Sequence, residues 1–456
     1  MGLRSSTKPS LILINPWIYD FAAYDLWSKP LGLLSLATDL RRRGFDIHLI
    51  DCMDVDHPAM IERSSLKPPK RRQYGTGKFW RQNVPKPPAL KEIDRSYSRY
   101  GILPEIFEEE ARQVKDPSAI LVTSLMTYWY PGVFEAIGRV RKIHPRVPVI
   151  LGGVYARLCR KHAVQFSGAD RVVAEQGIPA IYETLKDYHI AIPHETPDSP
   201  FPEYPAFDLL NKIHYVCLMT STGCPYRCHY CASHFLFPRF VQKDPGKVLE
   251  EILYWHRKWG IRDFAFYDDA LLVSSNTHMK VILKGICRFN LPIRFHTPNA
   301  IHVREITRPM ANLLYQSGFQ TIRLGLEASD NHKRWNLDQK ISRGDFAHAM
   351  DHLRDAGFHT RQIGAYIMMG MPGQSPDAVA ETIRQADHCG SIPYLSEYSP
   401  IPHTQLWEKA VACSNYDLSS EPLFHNNSLL PCWDNARRKE IPHLKRLVSQ
   451  VREKYR

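Results

Sequence analysis

The most explicit chemistry in the chain lies in one short run, Cys224-Pro225-Tyr226-Arg227-Cys228-His229-Tyr230-Cys231. Three thiols stand here in a Cys-x3-Cys-x2-Cys spacing, just after the apolar stretch from Tyr215 to Ser221. Thiolates are soft ligands that suit zinc or an iron–sulfur cluster. A structural zinc site wants four protein ligands, and no partner pair of ligands lies nearby in the sequence. An iron–sulfur cluster held by only three thiolates keeps one iron open to a molecule from outside. The other seven cysteines (Cys52, Cys159, Cys217, Cys287, Cys389, Cys413 and Cys432) are scattered. They read as reduced, mostly buried thiols.

The elements around this run alternate. Tyr215 to Ser221 reads as a strand leading into the cysteines. The strands expected after it are Asp263 to Tyr267, Ile293 to Thr297, Thr321 to Leu326, Gln362 to Met369 and Tyr394 to Tyr398. Between them fall helical stretches: one capped by Asp244-Pro245, then Asn276 to Phe289, Arg304 to Ser317, Asp345 to Ala356 and Pro376 to Cys389. Six β/α units in one direction predict a partial (β/α)6 barrel of the TIM type, with its chemistry at the C-terminal ends of the strands. The first third has the same rhythm. Strands are expected at Ser10 to Ile14, Asp46 to Ile50, Ala119 to Leu125, Val147 to Leu151 and Asp170 to Val173. Helices are expected at Pro30 to Arg43, from Pro131, and near Arg157 to Phe166. This predicts a doubly wound α/β domain of the Rossmann or flavodoxin type.

The spacing and position of the three cysteines resemble those of the radical S-adenosylmethionine (SAM) superfamily. The resemblance covers about residues 213–408. It implies that Cys224, Cys228 and Cys231 hold a [4Fe-4S] cluster. The open iron would chelate SAM, whose reductive cleavage starts radical chemistry. Tyr230 matches the family's aromatic position before the last cysteine. Tyr267-Asp268-Asp269, ending the second strand, stands where the family binds the SAM amine through backbone carbonyls and an acid. Gly325-Leu326-Glu327-Ala328-Ser329 resembles the family's segment near the SAM ribose. Gly370-Met371-Pro372-Gly373-Gln374 resembles a turn that meets adenine. Asp268, Asp269, Glu327, Ser329 and Gly370 are therefore candidate SAM contacts beside Tyr230. Ser399 to Thr404 resembles a further turn in which His403 replaces the usual glycine. The imidazole there is either a group near the substrate or neutral variation.

The N-terminal pattern, with Pro30-Leu31-Gly32-Leu33 and the Leu151-Gly152-Gly153 turn, resembles the cobalamin-binding domain of B12-dependent radical SAM proteins. Gly152 and Gly153 are the candidate cofactor contacts. The departures are specific. The motif that supplies a lower histidine ligand in some cobalamin proteins is missing, and Asp54-Val55-Asp56-His57 is the nearest approach. The family's histidine after the double glycine is replaced within Val154-Tyr155-Ala156. The implied cofactors are thus the cluster, SAM and, as an open question, cobalamin. Thr127-Tyr128-Trp129-Tyr130-Pro131 either stacks on a flat cofactor or packs as a contact.

The expected domains are residues 1–193 with a basic insertion at 54–118, a linker at 194–212, the barrel at 213–408 and a helical extension at 409–456. Of the 456 residues 44% are hydrophobic, which is enough for packed cores. The net charge of +12 is uneven. From Ile61 to Arg99 eleven basic residues face Glu62, Glu92 and Asp94 in a proline-rich stretch. It reads as a partly irregular insertion, either solvated or able to bind an acidic small molecule or nucleic acid, of which nucleic acid is less favoured. With no apolar run of membrane length and no secretory pattern, a cytoplasmic protein without membrane association is expected. The implied partners are a small-molecule or peptide substrate and an external electron donor of the flavodoxin or ferredoxin type. The reaction left open is cobalamin-dependent methyl transfer or rearrangement. The alternatives are radical modification of RNA and a non-catalytic protein that only holds the cluster.

Overall fold

The computed structural model describes residues 8–194, 203–327 and 344–455. It contains two compact units: residues 1–213 with Ser420–Leu423, and 214–419 with 424–456.

Unit 1 is built on a parallel sheet of β1 (Ser10–Asn15), β2 (Asp46–Asp51), β3 (Ala119–Val122), β4 (Val149–Leu151) and β5 (Arg171–Val172), in the order β5-β4-β3-β1-β2. The chain winds from β1 to β2 on one side and then crosses to β3 on the other. This is a flavodoxin-like order whose switch point lies between β1 and β3. Because side chains alternate across a strand, Leu11 and Leu13 enter one core with Leu121 and Ile150, while Ile12 and Ile14 enter another with Ile120 and Leu151. Burial on both faces explains why these strands read as continuous apolar runs. Each such side chain contributes about 2 kcal/mol. The covering helices include α1 (Leu31–Arg42), α2 (Tyr130–Ile143), α3 (Val154–Leu158) and α4 (Ile178–Asp187). The helix expected near Arg157 to Phe166 is broken at Cys159, and its second piece is Arg160–Phe166.

The basic insertion is more ordered than its composition suggests. Arg81–Val84 and Tyr97–Tyr100 form an antiparallel layer with Ile18–Asp20, and Gly77–Lys78 pairs with Tyr24–Asp25. Ile18, Met53, Val55, Phe79 and Tyr100 give this layer its own small core. Its strand partners come from the loop after β1, so no local periodicity announces them. Part of the charge is consumed internally. Arg71 pairs with the buried Asp25 at 2.6 Å, Arg63 with Glu109 at 2.8 Å and Arg99 with Glu135 at 3.5 Å.

Unit 2 is a six-stranded parallel sheet in sequence order: β6 (Val216–Leu218), β7 (Asp263–Phe266), β8 (Arg294–His296), β9 (Phe319–Glu327), β10 (Ile363–Met369) and β11 (Ile392–Glu397). Its principal helices are α5 (Pro245–Trp259), α6 (Met279–Phe289), α7 (Arg308–Gln316), α8 (Asp345–Asp355), α9 (Pro376–His388), α10 (Trp407–Cys413) and α11 (Ile441–Lys454). Sequential parallel order with helical crossovers is the partial barrel expected from the sequence. The helix starts are locally encoded. Asp244 accepts from the Lys247 N–H at 3.0 Å and Ser375 from the Ala378 N–H at 3.2 Å, each just before a proline in the first turn. Among the described residues no helix is long and apolar enough to cross a membrane.

Candidate functional site

The cysteine loop leaves β6 at the C-terminal end of the unit 2 sheet and is braced from several strand ends. Thr220 and Ser221, just ahead of the cysteines, are clamped by Asp268 at the end of β7. Its carboxylate accepts from the Thr220 hydroxyl at 2.8 Å, the Ser221 hydroxyl at 2.6 Å and the Thr220 N–H at 3.1 Å. Burial pushes the Asp268 carboxyl up, against the downward pull of those bonds from Ser221 and Thr220. Gly223 follows with φ +74°, and a Cβ there would collide with the carbonyl oxygen of Arg239. Glycine alone therefore admits the turn into Cys224. Beyond the first cysteine, the Tyr226 hydroxyl donates to Glu305 at 3.3 Å. The His229 carbonyl accepts from the Leu406 N–H at 3.0 Å, so the segment after β11 holds the loop that follows β6. On the far side, the Ser233 hydroxyl donates to Asp269 at 2.5 Å.

Cys228 is buried, whereas Cys224 and Cys231 are partly exposed. Cys231 donates its N–H to the Cys228 carbonyl at 3.0 Å, and the Ser233 N–H donates to Cys231 Sγ at 3.4 Å. An N–H aimed at sulfur favours thiolate over thiol. Among the described residues no three His, Cys, Asp or Glu side chains converge as a site for a single metal ion. A cubane takes one thiolate on each of three irons and does not require the sulfurs to meet at a point. The donor set, the braced backbone and the partial exposure fit such a cluster.

The other sequence-selected residues of this unit lie at successive strand ends. Tyr230 packs against the core of Met371, Tyr398 and Leu406. The Asp268 carboxylate is engaged by Thr220 and Ser221, at the end of the strand that carries the cysteines. The Tyr267 and Asp268 carbonyls accept from Asn299 Nδ2 at 2.9 and 3.4 Å. Gly370 and Met371 both donate their N–H to Gln374 Oε1, at 2.9 and 3.2 Å, and Gln374 Nε2 donates back to the Met368 carbonyl at 2.9 Å. The turn is thus closed by its own glutamine. Glu327 ends β9 beside a register shift against β10, and Ser329 lies outside the described residues. His403 adopts φ +67°, the conformation open to the glycine it replaces, and its ring stacks on Phe235 at 4.0 Å and 5°. Asn299 and the brace formed by Ser233 escaped sequence reasoning, because single polar residues in loops carry no pattern.

In unit 1 the C-terminal ends of β3 and β4 border a crevice of about 220 Å³. It is lined by Gly32 and Leu36 of α1, Thr123, Gly152, Gly153 and Gly177. Gly153 lies at φ +94° and ψ −167°, a region essentially restricted to glycine, and a Cβ there would strike the Ser124 carbonyl. Ser124 locks the turn by donating its hydroxyl to the Gly152 carbonyl at 2.6 Å, while its own carbonyl accepts from the Val154 N–H at 2.7 Å. Leu125 and Met126, beyond the end of β3, are exposed at 38% and 48%, an apolar surface at the same edge of the sheet. At the ends of β1 and β2, Asn15 donates to Asp51 at 2.6 Å. Burial and the nearby Asp54 charge push the Asp51 carboxyl up to about 6.

His57 is not disposed to bind cobalt. One ring nitrogen accepts from the Ala59 N–H at 3.2 Å and the other meets Glu110 at 2.9 Å. Tyr155, near the position of the family's histidine, is buried and bonded to His162 Nδ1 at 2.6 Å. Burial lowers the His162 imidazole and raises the Tyr155 phenol. The Thr127–Pro131 aromatics are engaged within this unit. Trp129 donates to Asp20 at 2.7 Å, and Tyr130 donates to Glu421 at 3.0 Å while packing on Phe134.

Residues 218–386 match the family model of the radical SAM superfamily. The chain carries a radical SAM domain. That family implies a [4Fe-4S] cluster and SAM. An uncharacterized methyltransferase of Synechocystis is 25% identical over 334 residues, which cover 68% of this chain and 61% of that protein. The chain therefore spans less than two thirds of that relative's length. Among solved structures, the radical SAM methyltransferase TsrM from Kitasatospora setae matches with a TM-score of 0.66 and 15% identity, over 97% of this chain and 89% of that one. The cobalamin-dependent SAM radical enzyme OxsB matches with a TM-score of 0.56 and 13% identity, over 91% and 57%. At such identities these likenesses concern the fold: a doubly wound unit followed by a radical SAM domain.

Proposed function

We propose that this chain is a radical SAM enzyme that uses cobalamin to transfer a methyl group to a small-molecule or peptide substrate, with electrons from an external reductant. The observation that carries the reading is the braced cysteine loop at the first strand of a six-stranded parallel barrel. The glycine-lined crevice of unit 1 supports the cobalamin part.

Cys224, Cys228 and Cys231 hold the cluster. Tyr230, Asp269, Glu327 and Gly370 flank SAM, with Asp268 fixing the strand from which the cysteines depart. Gly152 and Gly153, with Gly32 and Gly177, leave room for the nucleotide tail of a corrinoid, and Leu125 and Met126 offer its ring an apolar surface. When bound, the cluster supplies an electron and an open iron for SAM, and cobalamin supplies a carrier for the methyl group. The chain's own residues orient these partners. No histidine ligand for cobalt is assigned, because His57 is committed to Glu110 and the Ala59 N–H.

The reading is tested by loading the protein anaerobically with iron, sulfide and hydroxocobalamin, removing unbound corrinoid, and adding SAM and a reductant. A retained corrinoid spectrum and formation of S-adenosylhomocysteine or 5′-deoxyadenosine are expected. A loaded cluster with no SAM turnover would sink the enzymatic reading. Turnover without retained corrinoid would remove only the cobalamin.

A further inference from the structure

Outside the cysteine loop, two more cysteines lie side by side. Cys413 ends helix α10 and is exposed, while Cys432 is buried at 2%. Cys413 Sγ lies 4.0 Å from the Cys432 carbonyl oxygen and 3.6 Å from that of Ala410. Burial, and then the neighbouring Cys413, push the Cys432 thiol up. We propose that Cys413 and Cys432 are a redox couple, a dithiol when reduced and a disulfide that staples α10 to the Leu430–Trp433 turn when oxidised.

The staple would join two segments that support the cysteine loop and its neighbours. Helix α10 starts directly after Leu406, whose N–H holds the His229 carbonyl inside the cysteine loop. Leu430, two residues before Cys432, packs on Gly370. Cys432, Leu406 and Met371 share one core, against which Tyr230 packs. Forming the bond would fix these contacts from behind, without touching the three cluster cysteines.

The chemistry balances with a small-molecule disulfide, such as oxidised glutathione, as oxidant. The exposed Cys413, as thiolate, attacks one sulfur of that disulfide and expels one thiol. Cys432 then attacks Cys413 Sγ in the mixed disulfide and expels the second. Two protein S–H bonds and one small-molecule S–S bond are lost; one protein S–S bond and two free thiols form. Two electrons and two protons pass to the oxidant. Since only a thiolate attacks and Cys432 is raised, the second step is slow near neutrality and accelerates with pH.

The test treats the cluster-loaded protein anaerobically with oxidised glutathione, blocks free thiols, digests without reduction and maps the peptides by mass spectrometry. The expected product is a cross-linked pair containing Cys413 and Cys432, two hydrogens lighter than the sum of its parts. It should form several-fold faster at about pH 9 than at about pH 7. Cys413→Ser should abolish the link while leaving the iron content unchanged. Cys432→Ala should trap Cys413 as a stable glutathione adduct. The proposal is overturned if wild-type Cys413 stops at the glutathione adduct at both pH values, or if Cys432 is recovered free.

Discussion

The two units present their strand ends by opposite means. In unit 2 the site consists of donors. Three thiols are carried on a loop tied by the side chains of Asp268, Asp269 and Glu305 and by the Leu406 N–H. In unit 1 the site consists of space. The crevice exists because glycines leave out side chains and because Ser124 holds the Gly152-Gly153 turn. A donor site fails when a side chain is removed, whereas a space fails when one is added. The two halves should therefore respond to mutation in opposite senses.

The largest effect belongs to the donors. Replacing Cys228 or either partner cysteine by alanine should reduce iron after reconstitution to background while leaving the far-ultraviolet circular dichroism unchanged. Retention of a full complement of iron by the Cys228→Ala protein would break the contrast at its strongest point. Next comes the brace. Asp268→Asn replaces an acceptor of hydroxyl protons with an amide, one end of which offers further donors to Thr220 and Ser221. A loss of about 2 kcal/mol in denaturant unfolding is expected, with faster iron release under chelator. A variant as stable as wild type would show that the clamp is dispensable.

In the crevice the opposite change matters. A Cβ at Gly152 has ordinary room, its nearest neighbour being the Val173 carbonyl at 4.0 Å, so Gly152→Val should fold normally yet fill the space. Corrinoid affinity is expected to fall about tenfold, or about 1.4 kcal/mol, by equilibrium titration, with cluster content untouched. Equal affinity in the variant would place the corrinoid elsewhere.

The smallest effect concerns acid. In unit 2 the buried His296 contacts Asp263 at 3.0 Å and Thr321 at 3.1 Å, and its imidazole is lowered by burial. Burial raises Asp263, but bonds from His296 and Arg294 outweigh it and leave the carboxyl below its ordinary value. Both depressed groups contribute stability that is present above their unfolded values and lost as pH falls. Thermal midpoints should therefore drop below about pH 6.5, where the unfolded histidine takes its proton. His296→Gln should be less stable at neutrality but show a shallower decline, and an identical decline would assign the acid sensitivity to other groups.

The same contrast governs what could be read from the amino acids. The strands of both units were legible because burial on two faces writes continuous apolar runs, as in Leu11 to Ile14 and Ala119 to Val122. The cysteine loop was legible because three reactive side chains at fixed spacing are rare. The insertion was not, since Tyr97–Tyr100 pairs with Ile18–Asp20 far away in sequence and reads locally as a basic, proline-rich tract. Nor was the part played by Asp268. Its position at a strand end was evident, but whether its carboxylate turns toward a ligand or toward Thr220 depends on the neighbouring strand. Asn299 was missed for the same reason.

The central claim is that Cys224, Cys228 and Cys231 grip an iron–sulfur cubane with one iron left for SAM. Its most direct test is metal and sulfide analysis with electron paramagnetic resonance of the anaerobically reconstituted, reduced wild-type protein, before and after adding SAM. About four irons and four sulfides per chain are expected, with a cluster signal that changes when SAM binds. Stoichiometric zinc without sulfide, or a cluster signal indifferent to SAM, would contradict it.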